Sequence, residues 1–107
     1  MKFISIFLFL FSSLCFGDSV VLTWTPSTTA NPVRQSIYRQ INCTSITSIP
    51  TPVRRAEVDP GVKTWTDTAA KAGEKYCYFV TVSAKTSKTS TTTIESGPSI
   101  AILVTAN

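Results

Sequence analysis

Between Tyr76 and Ala84 every second residue is aromatic or apolar. Tyr76, Tyr78, Val80, Val82 and Ala84 fall on one phase, with Cys77, Phe79, Thr81 and Ser83 on the other. A period of two is the mark of an extended strand, because successive side chains leave a pleated backbone on opposite sides. No longer segment shows the 3.6-residue period of a helix, so the class is all-β. The same alternation, more weakly, marks Val20, Leu22 and Trp24, and then Val33, Gln35, Ile37, Arg39 and Ile41. Val53–Val58 reads as a short edge strand, Thr64–Thr66 as another, and Ser99–Thr105 as a closing strand.

The breaks between these runs carry turn chemistry. Pro26–Pro32, Thr44–Pro52 and Lys85–Thr93 are built from proline and short polar residues. Asp59-Pro60-Gly61 is a turn, since proline presets φ and glycine accepts the left-handed conformation. Ala69–Lys75, with Gly73, forms a corner. About six short strands spaced roughly a dozen residues apart argue for a two-sheet antiparallel sandwich. At 107 residues the chain holds one such domain and no second core.

The amino terminus reads differently. Lys2 is followed by Phe3–Phe11, apolar except for Ser5, and then by Ser12-Ser13-Leu14-Cys15-Phe16-Gly17. One basic residue, a short apolar core and small residues at Cys15 and Gly17 make residues 1–17 a secretory signal peptide, cut after Gly17. The run is short for a membrane span. Leu14 and Phe16 around Cys15 disfavour lipid attachment there. Residues 18–107 are then the exported domain, secreted or periplasmic, with no membrane span after the cut.

Composition narrows function by exclusion. There is no histidine, which removes the commonest general base and zinc ligand. No phosphate loop or nucleophile elbow is present, and Asp18, Glu57, Asp59, Asp67, Glu74 and Glu95 are scattered over loops and strand ends. The expectation is a non-enzyme with no catalytic residue, metal or cofactor. The net charge of +4 comes from dispersed Lys and Arg, with only Arg54 and Arg55 adjacent. That is a mildly cationic surface and not the basic stripe of a nucleic-acid binder.

In order and spacing, the landmarks resemble a fibronectin type III domain of the bacterial secreted kind. The residues that carry the likeness are Val21-Leu22-Thr23-Trp24-Thr25-Pro26, Ile37-Tyr38-Arg39 and Thr64-Trp65-Thr66-Asp67-Thr68. They continue with Ala72–Val82 and the closing Ser96-Gly97-Pro98-Ser99. The resemblance implies an immunoglobulin-like sandwich with Trp24, Ile37, Trp65, Tyr76, Tyr78, Val80 and Val82 in the core. It places Tyr76 at a tyrosine corner, its hydroxyl bonded back to the preceding connection. Three departures stand out. The exported chain lacks most of a first strand, Gln35 takes an inward position usually apolar or aromatic, and no Arg-Gly-Asp triplet lies between the last two strands.

Within that topology the strands holding Cys43 and Cys77 are antiparallel neighbours, so the resemblance implies a Cys43–Cys77 disulfide, fitting an oxidising compartment. Asn42-Cys43-Thr44 matches a glycosylation pattern and is treated as chance. Tyr38 and Phe79, with Arg34, form a candidate outward patch for protein contact, although cross-strand packing alone accounts for such pairs. Lys85 and Lys88 mark a candidate recognition loop, which should cluster with Pro26–Pro32 at one end of the sandwich. The leading expectation is a secreted, non-catalytic module binding an extracellular protein or glycan. Two others stand beside it: a subunit of a surface assembly that self-associates through an open strand edge, and an accessory or spacer module of polymer-degrading enzymes. The open edge is inferred from the missing first strand and from Ile100–Val104, apolar on both phases.

Overall fold

The computed structural model of the chain describes residues 12–16 (backbone), 19–25, 29–96 and 101–106. It has eight strands: β1 (Ser12–Phe16), β2 (Ser19–Thr23), β3 (Pro32–Ile41), β4 (Val53–Val58), β5 (Thr64–Asp67), β6 (Lys75–Lys85), β7 (Thr93–Glu95) and β8 (Ile102–Thr105). One sheet runs β1-β2-β5 and the other β4-β3-β6-β7, with β8 also paired to β6. Every pairing is antiparallel. The protein is an all-β, two-sheet antiparallel sandwich. Among the described residues no helix is long and apolar enough to cross a membrane.

The strong alternation of β6 has a positional cause. β6 lies between β3 on one side and β7 and β8 on the other, and every residue from Tyr76 to Ala84 is buried. Tyr76, Tyr78, Val80, Val82 and Ala84 are buried with Ile37 of β3 and with Val20, Leu22 and Trp24 on and just after β2. Val104 and Ala106 close the core beside them, and Trp65 packs against it half-buried. At the corner before β6, the Tyr76 hydroxyl accepts a 2.8 Å hydrogen bond from the Lys71 amide. Gly73, at φ 84°, makes the turn that a side chain would strain.

Gln35 is also buried, and its amide is fully used. Its Oε1 accepts a 2.9 Å bond from the indole Nε1 of Trp24, and its Nε2 donates to the carbonyls of Asp59, Pro60 and Val62 at 2.8–3.0 Å. One polar side chain thus fixes the central tryptophan and the β4–β5 turn together. An aliphatic residue here would remove the Gln35 bonds from all four groups, with Asp59 O keeping the Val62 amide.

Two strands differ from expectation. The closing strand, expected from Ser99, begins at Ile102, and residues 97–100 lie outside the described residues. Ahead of it on the same side of β6 stands β7, three exposed residues after a Ser/Thr stretch, too short to show a period. Between β7 and β8, Ser96 holds the edge to β6. Its amide donates to Val82 O at 2.8 Å, while its Oγ accepts from the Val82 amide at 3.0 Å.

The second difference is β1. The first strand expected to be lacking is present in the full chain, because Ser12–Phe16 pairs along β2, with Leu14 opposite Val21. An open β2 edge therefore belongs only to a chain cut after Gly17. The apolar core of the expected leader, residues 3–11, and the cut site at Gly17 lie outside the described residues.

Candidate functional site

The candidate residues occupy three places. On the outer face of the larger sheet, Tyr38 and Phe79 are cross-strand partners whose rings stack at 4.9 Å with a 13° interplanar angle. The Tyr38 hydroxyl donates to Glu95 Oε2 at 2.7 Å, and the Thr81 hydroxyl donates to the same oxygen. Burial, and then the bond to Glu95, raise the Tyr38 hydroxyl above its ordinary pKa. Arg34 Nε stands 3.2 Å from Glu57 Oε2, an ion pair short of a directed hydrogen bond, and Arg54 meets the same carboxylate at 3.0 Å. The face is occupied by its own contacts. Phe79 is buried, and the two rings stack on each other.

Lys85 and Lys88 lie at one end of the sandwich, both exposed. The Lys85 amide donates to Asn31 O at 3.0 Å, which brings the β2–β3 and β6–β7 connections together. Residues 86–92 are tied by short hydroxyl bonds, with Thr86 Oγ1 to Ser90 Oγ at 2.8 Å and the Thr92 amide to Ser90 Oγ at 2.9 Å. At the opposite end, Cys43 and Cys77 form a disulfide. It fastens the β3–β4 connection to β6, and the Cys43 amide adds a bond to Lys75 O.

Beside that disulfide lies a depression of about 300 Å³, lined by Arg39, Gln40, Ile41, Thr51, Val53 and Arg55. Its cause is a register shift. Ile37 pairs with Ala56, but Tyr38 pairs with Arg54, so Arg55 is an extra residue in a β-bulge. Bulges re-aim side chains. Arg55, at this bulge, lines the depression together with Arg39, Ile41 and Val53. Arg55 is exposed and forms no ion pair among the described residues. Ile41 and Val53 share the inner phase yet are 48% and 58% exposed, so the depression has an apolar floor. Gln40 Oε1 accepts from the Thr51 amide at 2.8 Å and from Thr51 Oγ1 at 3.1 Å, which holds the far wall.

Arg39 links this depression to the core. Its Nη1 lies 2.8 Å from Asp67 Oδ2, and its guanidinium sits 5.0 Å from the Tyr76 ring centroid. Asp67 Oδ2 also accepts from the Tyr78 hydroxyl at 2.8 Å, and Oδ1 accepts from the Ala69 amide. Burial, then the Asp67 hydrogen bond, raise the Tyr78 hydroxyl far above its ordinary pKa. The sequence pattern marks none of Arg39, Gln40, Ile41, Thr51, Val53 and Arg55 as a site. Only the adjacent Arg54-Arg55 pair was a signal. Among the described residues no group of three His, Cys, Asp or Glu side chains can hold a metal ion.

Two sheets ordered this way, closed over one tryptophan and a tyrosine corner, define an immunoglobulin-like sandwich. No family model and no curated protein matches the sequence. Several solved structures share the fold. Pectate lyase PelI from Erwinia chrysanthemi, solved in complex with tetragalacturonic acid, matches with a TM-score of 0.63 and 23% identity over 90% of this chain and 28% of its own. A β-1,2-glucanase from Parabacteroides distasonis matches with a TM-score of 0.66 and 19% identity over 92% of this chain and 12% of its own. The twitchin kinase region from C. elegans, which contains fibronectin and immunoglobulin segments, matches with a TM-score of 0.62 and 14% identity over 86% and 14%. The chain thus spans about a quarter of the pectate lyase chains and less of the other two.

Proposed function

We propose that this protein is an exported, non-catalytic module of fibronectin type III type that binds acidic polysaccharide at the β3–β4 depression. The observation that carries the reading is Arg55, exposed at a bulge and without an ion pair among the described residues, lining one depression with the exposed apolar side chains of Ile41 and Val53. A guanidinium forks onto a carboxylate with two parallel hydrogen bonds. The apolar floor suits the carbon–hydrogen face of a sugar ring, as shallow sites combine apolar area with a few directed polar groups. The leader pattern of residues 1–17 and the Cys43–Cys77 bridge support export. The occurrence of a like sandwich inside a pectate lyase and a glucanase supports a place beside polysaccharide-degrading activity. Holding polymer for another catalytic centre needs no acid, base or metal of its own.

Calorimetric titration of the secreted protein with oligogalacturonate and with a neutral gluco-oligosaccharide tests the reading. Binding of the first alone is expected, weakened by salt. Arg55→Ala should weaken it roughly tenfold or more, the loss of one bidentate charge-assisted contact. Absence of oligogalacturonate binding, or equal binding by the Arg55→Ala protein, overturns it.

A further inference from the structure

We propose that removal of the leader makes β2 a pairing edge for β2 of a second copy. This goes beyond the carbohydrate site and rests on the export reading, in which the cut after Gly17 severs β1 from the sandwich. In the full chain the β2 edge already accepts an antiparallel strand over its whole length, from Ser12 opposite Thr23 to Phe16 opposite Ser19. Without β1, the amides and carbonyls that face it lose their partners.

The direction of those groups follows from the other side of β2. The Trp24 amide donates to Lys63 O and Thr64 Oγ1 donates to Leu22 O, so the even-numbered residues spend their backbone groups on β5. Ser19, Val21 and Thr23 therefore point theirs at the β1 side. Edges are normally blunted by charge, proline, bulges or brevity. β4 carries Arg54, Arg55, Glu57 and a bulge, β5 ends on Asp67, β7 has three residues, and β8 has four. With β1 gone, β2 is the longest edge run without charge, proline or bulge among the described residues.

A second copy fits this edge by register. Antiparallel pairing about a dyad at Val21 sets Val21 against the partner's Val21, Val20 against the partner's Leu22, and Ser19 against the partner's Thr23. Buried Val20 and Leu22 then stay on the core phase in both copies, and half-buried or exposed Ser19, Val21 and Thr23 stay on the other. The two small sheets become one continuous sheet across the dyad, and no like charges meet.

The test is secretion of the full chain, with amino-terminal sequencing and native mass of the product. A product starting at Asp18 with the mass of a dimer supports the proposal. A product starting at Asp18 that stays monomeric at high concentration overturns it and leaves the leader reading standing. A product retaining residues 12–16 overturns both. The register has its own check at the dyad, where Val21→Lys and Val21→Glu each place like charges face to face. Each variant alone should raise the dimer dissociation constant about tenfold or more, and an equimolar mixture should restore association. Unchanged dimers in either variant overturn the proposal. Hydrogen exchange on the unmodified protein needs no variant. The Val21 and Thr23 amides should be protected in the dimer and exchange faster on dilution, and equal rates at both concentrations overturn it.

Discussion

Arg39 and Asp67 join the two sheets through a 2.8 Å contact between Nη1 and Oδ2, Arg39 from β3 and Asp67 from the end of β5. The Asp67 side chain is 2% exposed and that of Arg39 13%. Such a pair adds little net stability, since desolvating both ions offsets their attraction, but removing one partner strands the other. Here the carboxylate also holds the Tyr78 hydroxyl and the Ala69 amide, so it orders the β5–β6 corner. Arg39→Ala should therefore destabilise the fold by about 3 kcal/mol or more. Urea unfolding at pH 7 measures it, and a loss comparable to that of an exposed pair such as Arg54–Glu57, within about 1 kcal/mol, would contradict the argument.

Tyr78 gives the same cluster an alkaline signature. Its hydroxyl is raised above the ordinary tyrosine value by burial and by its bond to Asp67. Below about pH 10 it is protonated in both folded and unfolded chains and makes no pH-dependent contribution. Above that pH the unfolded chain ionises first, so stability falls as pH rises, by at most about 1.4 kcal/mol per pH unit for this one proton. Tyr78→Phe should cost about 1 kcal/mol at pH 7 and flatten the decline above pH 10. A smaller slope from Tyr38, raised in the same direction, should remain. Unfolding midpoints between pH 8 and 11 provide the comparison.

Gln35 yields a prediction of opposite sense to hydrophobicity. Gln35→Leu places a better core residue by transfer energy in a fully enclosed position, yet it should destabilise by about 2–3 kcal/mol. The Trp24 indole N–H and the carbonyls of Asp59, Pro60 and Val62 all lose the Gln35 amide at once, with Asp59 O keeping a second bond, from the Val62 amide. A neutral or stabilising Gln35→Leu in thermal unfolding would show that the β4–β5 turn is held by other contacts.

What could be read from residues alone divides along physical lines. The strands that alternate strongly, β3 and β6, were legible because burial on one phase selects side chains at a period of two. The tyrosine corner was legible because Gly73 and Tyr76 stand at a fixed offset. β7 was not, since three exposed residues carry no period. Nor was the β3–β4 depression, because one extra residue at Arg55 shifts the register. Arg39 and Asp67 read as surface charges one at a time. Only the packing of two sheets makes them partners, 28 residues apart.

The Cys43–Cys77 bridge was expected from neighbouring strands, and it encloses a segment with a sequence separation of 34. That segment contains β4, the β4–β5 turn and β5, whose residues are mostly exposed or half-buried. Closing a loop of this length restricts the unfolded chain and should contribute about 3–4 kcal/mol on the chain-entropy account. Replacing both cysteines by serine should lower stability by that amount in urea unfolding. It should also loosen the wall at Thr51, because the 43–52 connection is then tied to β3 mainly through Gln40. Intact-mass measurement should show the native protein lighter by two hydrogens than its reduced form. Two thiols alkylated without reduction would remove the bridge from the fold and, with it, the rigid end on which the Arg55 depression stands.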